Sequence, residues 1–140
     1  MNVKVVESEK ELEDAFSVRR TVFIDEQNVP PEEEIDTLEE EATHFVAYDE
    51  GSPIAAGRLR VVGGYGKIER ICVLQEARKT GTGKALMNKI ETYALENGID
   101  NFKLNAQTQA IPFYSRLGYE VASEEFLDAG IPHRTMIKHV

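Results

Sequence analysis

The sequence contains little of what several classes of protein require. Only one cysteine, Cys72, occurs in 140 residues, so a disulfide framework within the chain is excluded. No apolar run reaches the roughly 18 residues that a membrane-spanning helix needs. The first residues also lack the basic and apolar regions of a secretory signal. These absences predict a cytoplasmic protein that makes no membrane contact.

Positive charge is also scarce. Lysine and arginine total 16 against 25 aspartates and glutamates, which gives a net charge of −9. Nucleic acid is therefore not expected as a partner, because a phosphate backbone requires a basic face, and a cationic or neutral small molecule is favoured. Much of the acid lies in the acidic segment, residues 30–42, with the sequence "PPEEEIDTLEEEA". This pattern fits either a solvated surface or a recognition site for an amine.

Repeats, low-complexity tracts, linkers and metal-ligand spacings are missing too. No cysteine pair, His-x-x-x-His or EF-hand loop occurs, so no metal site is expected. With 41% hydrophobic and 29% charged residues, the composition is typical of a soluble globular protein. The length predicts a single domain over residues 1–140.

Strand and helix patterns alternate along the chain. Strands are predicted over residues 2–6, 43–49, 53–62, 66–74, 101–107, 119–125 and 133–140. Helices are predicted over residues 8–23, 81–98 and 110–118. Together they predict a mixed α/β domain with an antiparallel start and a β-α-β unit near the end.

The glycine-rich stretch "QEARKTGTGKALMNKI" leads directly into the predicted 81–98 helix. A Walker loop is excluded because Arg78 stands where its first glycine belongs and Ala85 replaces the magnesium-binding Ser or Thr. A dinucleotide fingerprint is excluded because Leu86 occupies the place of its third glycine. The stretch still suits an anion such as pyrophosphate, since glycines allow close backbone approach and a helix start offers free N–H groups.

The segment Arg78–Gly83 fits the pattern R/Q-x-x-G-x-G/A and resembles the acyl-CoA loop of the GNAT acetyltransferase superfamily. Residues 110–120, "AIPFYSRLGYE", resemble a later segment of that superfamily, in which a Phe-Tyr pair precedes Leu-Gly and an aromatic residue. The two motifs stand in the family's order, and the resemblance covers the chain from the first strand to the last. The stretches "RRTVFIDEQNVPPEEEID" and "DAGIPHRTM" further resemble the small bacterial branch of ElaA- and YjcF-type proteins.

The resemblance implies the GNAT fold, a single α/β (α+β) domain with a mixed, mostly antiparallel sheet. That sheet is flanked by helices and splayed between its fourth and fifth strands, where acetyl-CoA or another acyl-CoA lies as co-substrate. The residues expected to bind it are Ile71, Cys72, Val73, Arg78, Lys79, Thr80, Gly81, Thr82, Gly83, Lys84, Asn105, Gln107, Phe113 and Tyr114.

Parts of this cofactor set have individual expected roles. The backbone of residues 71–73 is expected to pair with the pantetheine arm and to point one N–H at the thioester carbonyl. Gln107 stands where many members have Asn, so the pantetheine hydrogen bond falls to Gln107 or to Asn105. The side chain of Cys72 is expected to be a small buried core residue, with a reactive thiol as the alternative.

Glu69 is the preferred candidate for the base that deprotonates the amine. If the fourth strand alternates regularly, Glu69, Ile71 and Val73 share one face, and the carboxylate lies beside the thioester. A salt bridge with Arg70, with Lys67 or with a neighbouring strand is the competing interpretation.

Other polar residues are expected around the reacting groups. Tyr114 corresponds to the tyrosine that protonates the leaving thiolate in many members, with a packed aromatic as the alternative. His133, entering the last strand, titrates near neutrality and is the second candidate base, although a structural histidine is the more common outcome. The acceptor site is expected to include Glu26, Gln27, His44 and His133.

The expected activity is acyl-CoA-dependent N-acyl transfer, with acetyl passing to a primary amine of a small molecule or peptide by direct attack in a ternary complex. A non-catalytic acyl-CoA-binding sensor of the same fold is the alternative. The sequence leaves the acceptor, the acyl-chain length and the oligomeric state open, with a homodimer among the alternatives.

Overall fold

The computed structural model describes residues 1–140 and contains one eight-stranded sheet. The strands are β1 (Asn2–Val5), β2 (Thr43–Asp49), β3 (Ser52–Val62), β4 (Tyr65–Val73), β5 (Asn101–Gln107), β6 (Glu120–Val121), β7 (Phe126–Asp128) and β8 (Ile131–His139). Their order across the sheet is β1-β2-β3-β4-β5-β8-β6, and β7 pairs with β8 beside β6. All pairs are antiparallel except β4 with β5, so the sheet is mixed and mostly antiparallel, as the family resemblance implies.

Four α-helices, two 3₁₀ turns and one π-helical stretch connect these strands. The helices are α1 (Glu9–Arg19), α2 (Pro31–Glu34), α3 (Thr82–Glu96) and α4 (Ile111–Arg116). Residues Gln75–Ala77 and Thr108–Ala110 form single 3₁₀ turns, and a π-helical stretch over Arg20–Glu26 continues α1. None of the helices has the length and apolar character needed to traverse a bilayer.

The parallel pairing of β4 with β5 covers only the first part of the two strands. Gly66, Lys67 and Ile68 pair with Phe102, Lys103 and Leu104, and no pairing continues beyond Ile68. The following halves of the two strands, residues 69–73 and 105–107, therefore separate. This separation produces the predicted splay and opens a gap in the middle of the sheet.

Each face of the sheet is covered by one long helix and its own apolar cluster. Leu86, Met87, Ile90 and Ala94 of α3 pack against one face, where Phe45 and Phe102 lie in the larger cluster. Ala15 and Val18 of α1 pack against the other face, together with Val46, Ala56 and Cys72. A glycine at position 57 allows close contact on the α3 side, because a Cβ there would lie 2.6 Å from Ile71 Cδ1. The two faces are called the α3 face and the α1 face below.

The local sequence predicted most elements but not all their boundaries. The predicted 8–23 helix is α-helical only to Arg19 and then widens, with Gln27 N–H donating to Val22 O over 3.1 Å. The predicted 119–125 strand is interrupted, because β6 ends at Val121 and the next strand, β7, begins only at Phe126. The last strand begins at Ile131, two residues before the predicted start.

Candidate active site

A cleft of about 1070 Å³ opens where β4 and β5 separate. It collects most of the side chains that the sequence singles out. Those that line it are Glu26, Gln27, Glu69, Ile71, Cys72, Val73, Arg78, Lys79, Gly81, Gly83, Lys84, Asn105, Gln107, Phe113, Tyr114 and His133. Three expected site residues do not line it: Thr80, Thr82 and His44.

The glycine loop is folded so that α3 begins at the edge of the cleft. Gly81 is the N-cap residue, with a φ of 85° that favours glycine. The N–H groups of the first turn of α3 lack intrahelical acceptors and carry the positive end of the helix dipole. A Cβ on Gly83 would lie 3.2 Å from Phe113 Cζ, so this glycine also allows the ring to pack closely. The loop is therefore suited to an anionic group such as pyrophosphate.

The threonine side chains of the loop face one another instead of the cleft. The Thr80 hydroxyl donates to Ala77 O, and the Thr80 and Thr82 Oγ1 atoms lie 2.9 Å apart. Thr82 is buried. Any contact of these two residues with a cofactor would therefore come from the backbone, and their hydroxyls stabilise the turn.

Arg78 bends back from the loop toward the end of β4. Its Nε donates to Val73 O over 3.0 Å, and its Nη1 and Nη2 donate to the Glu26 carboxylate over 2.6 and 2.7 Å. Hydrogen bonding and charge from Arg78 lower the pKa of Glu26 below its ordinary value. Lys79 and Lys84 make no ion pair, so they supply the uncompensated positive charge of the loop.

A β-bulge in β4 reverses which side chains share a face. Arg58 of β3 pairs with Glu69 and Ala56 pairs with Cys72, so one β3 residue opposes both Arg70 and Ile71. Arg70 takes a φ of 59°, in the left-handed region.

The expectation that Glu69 shares a face with Ile71 and Val73 is therefore wrong. Ile71 and Val73 pack on the α3 face, whereas Cys72 belongs to the α1 face and Glu69 contacts the buried Arg58 there. The extra residue of a bulge leaves backbone groups unpaired, and this one lies in the wall of the cleft.

Glu69 is held by three cations. Its carboxylate accepts hydrogen bonds from Arg58 Nε over 3.0 Å and from Arg60 Nε over 2.8 Å, and Lys67 Nζ lies 3.6 Å away. Burial alone would raise the pKa of Glu69, but the hydrogen bonds and charges of the two arginines outweigh it and lower that pKa. Of the two adjacent salt-bridge partners considered from sequence, Lys67 is present, while Arg70 pairs with Asp36 instead.

The acidic segment is partly buried by arginines that sequence patterns did not single out. Arg19 and Arg58 are each only 1% exposed, and they bind Glu34, Asp36 and Glu39. Burial would raise the pKa values of Asp36 and Glu39, but these arginines lower both to about 2. The segment is thus neither a uniformly solvated surface nor wholly a recognition site. Glu32 and Glu33 remain in the cleft wall without ion pairs.

Tyr114 lies in the cleft on the α3 face. Its ring makes edge contacts with Phe113 and Tyr119, with centroid distances of 5.0 and 6.0 Å. The Tyr119 hydroxyl donates to Glu91, but the Tyr114 hydroxyl has no protein partner and lines the cleft. Burial raises the pKa of Tyr114, so the phenol keeps its proton at neutral pH. The unpartnered hydroxyl in the cleft suits a proton donor, although burial by itself makes the phenol a weaker acid.

His133 lies on β8 opposite Gln107 of β5 and also lines the cleft. Its Nδ1 is 2.6 Å from Ile131 O, and its ring stacks on Phe126 with centroids 6.0 Å apart. A carbonyl only accepts hydrogen bonds, so Nδ1 carries the proton and Nε2 of the neutral ring keeps its lone pair. The neutral ring therefore has Nε2 available to accept a proton.

His44 is not brought to the cleft, so its expected place at the acceptor site is wrong. Its Nε2 lies 2.8 Å from Glu39 O, and its ring meets the edge of Phe16 at a centroid distance of 5.6 Å. Burial lowers the pKa of His44. Strand alternation places the His44 side chain beneath the acidic segment, where it stabilises the turn that contains Glu39.

Three further predicted residues occupy the β5 side of the cleft or its floor. Gln107 Nε2 donates to Gln27 Oε1 over 2.8 Å, and Asn105 Oδ1 accepts from Thr135 over 2.8 Å, so both amides are already hydrogen-bonded. Cys72 is 4% exposed and its burial raises the pKa of the thiol to about 12, so it is an inert core residue at neutral pH.

No group of three or more His, Cys, Asp or Glu side chains is arranged to hold a metal ion.

Comparison with known proteins identifies the family of this chain. Residues 6–140 match the acetyltransferase (GNAT) domain family. The chain is 55% identical to the uncharacterised N-acetyltransferase YjcF of Bacillus subtilis (strain 168), covering 99% of each chain. An acyl-CoA N-acyltransferase from Pseudomonas aeruginosa has a similar structure, with a TM-score of 0.88, 28% identity and 99% of each chain covered. Escherichia coli ElaA shares the fold, with a TM-score of 0.86, 24% identity and 99% of each chain covered.

These similarities agree with the splayed sheet, the glycine loop at the start of α3 and the Phe-Tyr motif of α4. The resemblance to ElaA- and YjcF-type proteins is confirmed. The chain belongs to the GNAT acetyltransferase family, and its activity is that of an acyl-CoA-dependent N-acyltransferase.

Proposed function

We propose that the protein transfers the acetyl group of acetyl-CoA to a primary amine of a small molecule or peptide, by direct attack in a ternary complex. The observation that carries this proposal is the gap between β4 and β5. The glycine loop, the unpartnered hydroxyl of Tyr114 and the free Nε2 of His133 all lie at this gap, with the tyrosine and the histidine on opposite faces of the sheet. Proximity of thioester and amine in that gap would supply much of the rate.

The cofactor would lie along β4, with its pyrophosphate at the first turn of α3. The backbone of residues 71–73 would pair with the pantetheine arm, and a backbone N–H left unpaired by the bulge would face the thioester carbonyl. Asn105 and Gln107 would provide amide contacts from β5. When bound, acetyl-CoA supplies the activated acyl carbon, and every proton movement is assigned to the chain or to water.

The two proton transfers are assigned to opposite faces of the sheet. The amine nitrogen bonds to the acyl carbon, the carbon–sulfur bond breaks, and Tyr114 protonates the departing thiolate and later regains a proton from solvent. The alkylammonium ion gives one proton to His133 Nε2 before it attacks, and the second N–H proton is lost to water as the amide forms, which balances the proton that Tyr114 regains. Glu69 is the weaker candidate for this step because Arg58 and Arg60 stabilise its charged form.

The acceptor is proposed to be cationic before it loses its proton. On the acceptor side, Glu32, Glu33 and Asp128 line the cleft without ion pairs, whereas Lys67 and Arg70 are compensated by Glu69 and Asp36. Uncompensated carboxylates at a cleft attract an alkylammonium ion. A cytoplasmic location and a homodimer remain predictions.

The test has two stages. Acetyl-CoA should raise the melting temperature of the protein, and thiol release should then appear for some members of a panel of small amines and peptides. No shift and no binding by calorimetry would reject the cofactor assignment. Binding without thiol release across the panel would favour the non-catalytic acyl-CoA sensor.

A further inference from the structure

Residues 20–29, here called the crossing segment, span the gap between β4 and β5. Two adjacent residues of this segment reach opposite sides of it. Glu26 binds Arg78 just beyond the end of β4, and Gln27 accepts a hydrogen bond from Gln107 at the end of β5. The segment is π-helical through Glu26, a form that is rare and often occurs at functional sites.

Both partners of the crossing segment are residues expected to bind acyl-CoA. Arg78 belongs to the loop proposed for pyrophosphate, and Gln107 is one of the two amides proposed for pantetheine. Arg78 Nε also occupies Val73 O, a backbone acceptor in the strand edge proposed to pair with the pantetheine arm. A cofactor in the proposed position would therefore compete with these contacts for the same groups.

We propose that Glu26 is a positioning residue that controls acyl-CoA affinity through Arg78. The Glu26 carboxylate occupies the guanidinium edge that a phosphate would take, since both anions bind arginine in a bidentate manner. Acyl-CoA must displace Glu26 from Arg78, and this displacement frees the crossing segment that walls the acceptor side. This inference rests on the proposed position of the cofactor.

The size of the effect follows from the exposure of the pair. Both side chains are 38% exposed, and exposed ion pairs contribute only about 0.2–1 kcal/mol, or up to about fivefold in an equilibrium constant. Removing the Glu26 charge also lessens repulsion of the cofactor phosphates. Glu26→Gln should therefore bind CoA about threefold to fivefold more tightly than the wild type.

The experiment is isothermal titration of CoA into wild type, Glu26→Gln, Glu76→Gln, Arg78→Ala and the double variant Glu26→Gln/Arg78→Ala. Glu76 is the matched control, because it is exposed, lies two residues before Arg78 and makes no ion pair. Its substitution removes the same charge and no bridge, so it should change the Kd for CoA by less than Glu26→Gln does. In the Arg78→Ala background, Glu26→Gln should have no more effect than this control.

Unchanged or weaker CoA binding by Glu26→Gln would overturn the inference, because mere structural damage cannot tighten binding. An equal gain in Glu76→Gln, or an undiminished gain in the Arg78→Ala background, would overturn it as well, since charge alone would then explain the result. If the wild type binds no CoA, the proposed function itself fails. Normal wild-type binding with no gain in Glu26→Gln rejects only the role of Glu26.

Discussion

The two faces of the sheet are stabilised by different forces. On the α3 face, α3 buries Leu86, Met87 and Ile90 against an apolar cluster that also contains Tyr114. On the α1 face, a smaller apolar cluster lies beside ion pairs formed by Arg19 and Arg58. The loop proposed for the cofactor begins the helix of the first face, and the residues proposed for the acceptor gather on the second. The apolar face thus provides a rigid support, and the ionic face provides charge that responds to pH and salt.

The largest expected effect concerns the proton donor on the α3 face. Tyr114→Phe should lower kcat by about 10²- to 10⁴-fold with little change in CoA affinity, because only the hydroxyl that protonates the thiolate is lost. Steady-state kinetics combined with CoA titration would measure both quantities. A loss of less than twofold would mean that the phenol serves packing alone.

A comparable cost is expected on the α1 face from a single arginine. Arg58→Ala should destabilise the protein by about 3–5 kcal/mol, because Asp36, Glu39 and Glu69 would lose a shared buried cation. Urea unfolding would measure the change. Arg116→Ala removes an exposed cation without an ion pair and should stay within about 0.5 kcal/mol. Similar losses in the two variants would show that the ionic network adds little.

The same network should make stability depend on pH. Asp36 and Glu39 have folded pKa values of about 2, below their ordinary values of 3.8 and 4.5. Their stabilising contribution is therefore full above about pH 5 and is lost as the pH falls through the folded values. The loss should be on the order of 2 kcal/mol for each group. Urea unfolding between pH 6 and about pH 3 would follow the decline, which Arg58→Ala should flatten.

A smaller effect should identify the base. His133→Ala should lower kcat/KM about 10- to 100-fold at neutral pH, with water replacing the imidazole, and should abolish the acidic limb of the pH–rate profile. Glu69→Gln should leave that limb in place. If Glu69→Gln abolishes it instead and His133→Ala does not, the roles proposed for the two residues are exchanged.

The smallest expected effect concerns the loop that begins α3. Gly81→Val should weaken CoA binding at least about tenfold, or about 1.4 kcal/mol. A β-branched residue is strained at a φ of 85° and obstructs the approach of phosphate to the backbone. CoA titration of a variant whose circular dichroism remains native would test this. Undiminished affinity would remove the loop from the cofactor site.

Sequence reasoning succeeded where the signal was local. The glycine loop and the Phe-Tyr motif each lie within a few residues, and the helix and strand around them follow from short apolar periods. The pairing of Glu26 with Arg78 joins residues 52 positions apart, so no spacing rule could reveal it. The predicted place of His44 at the acceptor site was wrong for a related reason. The acidic segment that covers His44 has no regular period, so its position over this residue could not be predicted from the sequence.

The error at Glu69 has a different physical cause. Alternation assumes that every residue of a strand pairs with one neighbour, and a single left-handed residue at Arg70 breaks that assumption. Glycine is the usual sign of such a conformation, and arginine gives no warning. The buried arginines were missed because Arg19 and Arg58 look like surface residues until their carboxylate partners are known.

The bulge at Arg70 depends on the number of residues in β4 and not on the chemistry of the side chain at position 70. Any of the other amino acids placed at position 70 would leave two residues opposite one on β3. Removing one of the two bulged residues would let β4 pair regularly with β3. Glu69 would stay opposite Arg58 and Cys72 opposite Ala56, and the unpaired backbone groups would be lost from the cleft wall. Libraries built only from substitutions cannot reach that alternative. The unpaired backbone groups in the cleft wall are therefore encoded by an insertion, and single-residue deletions would remove them.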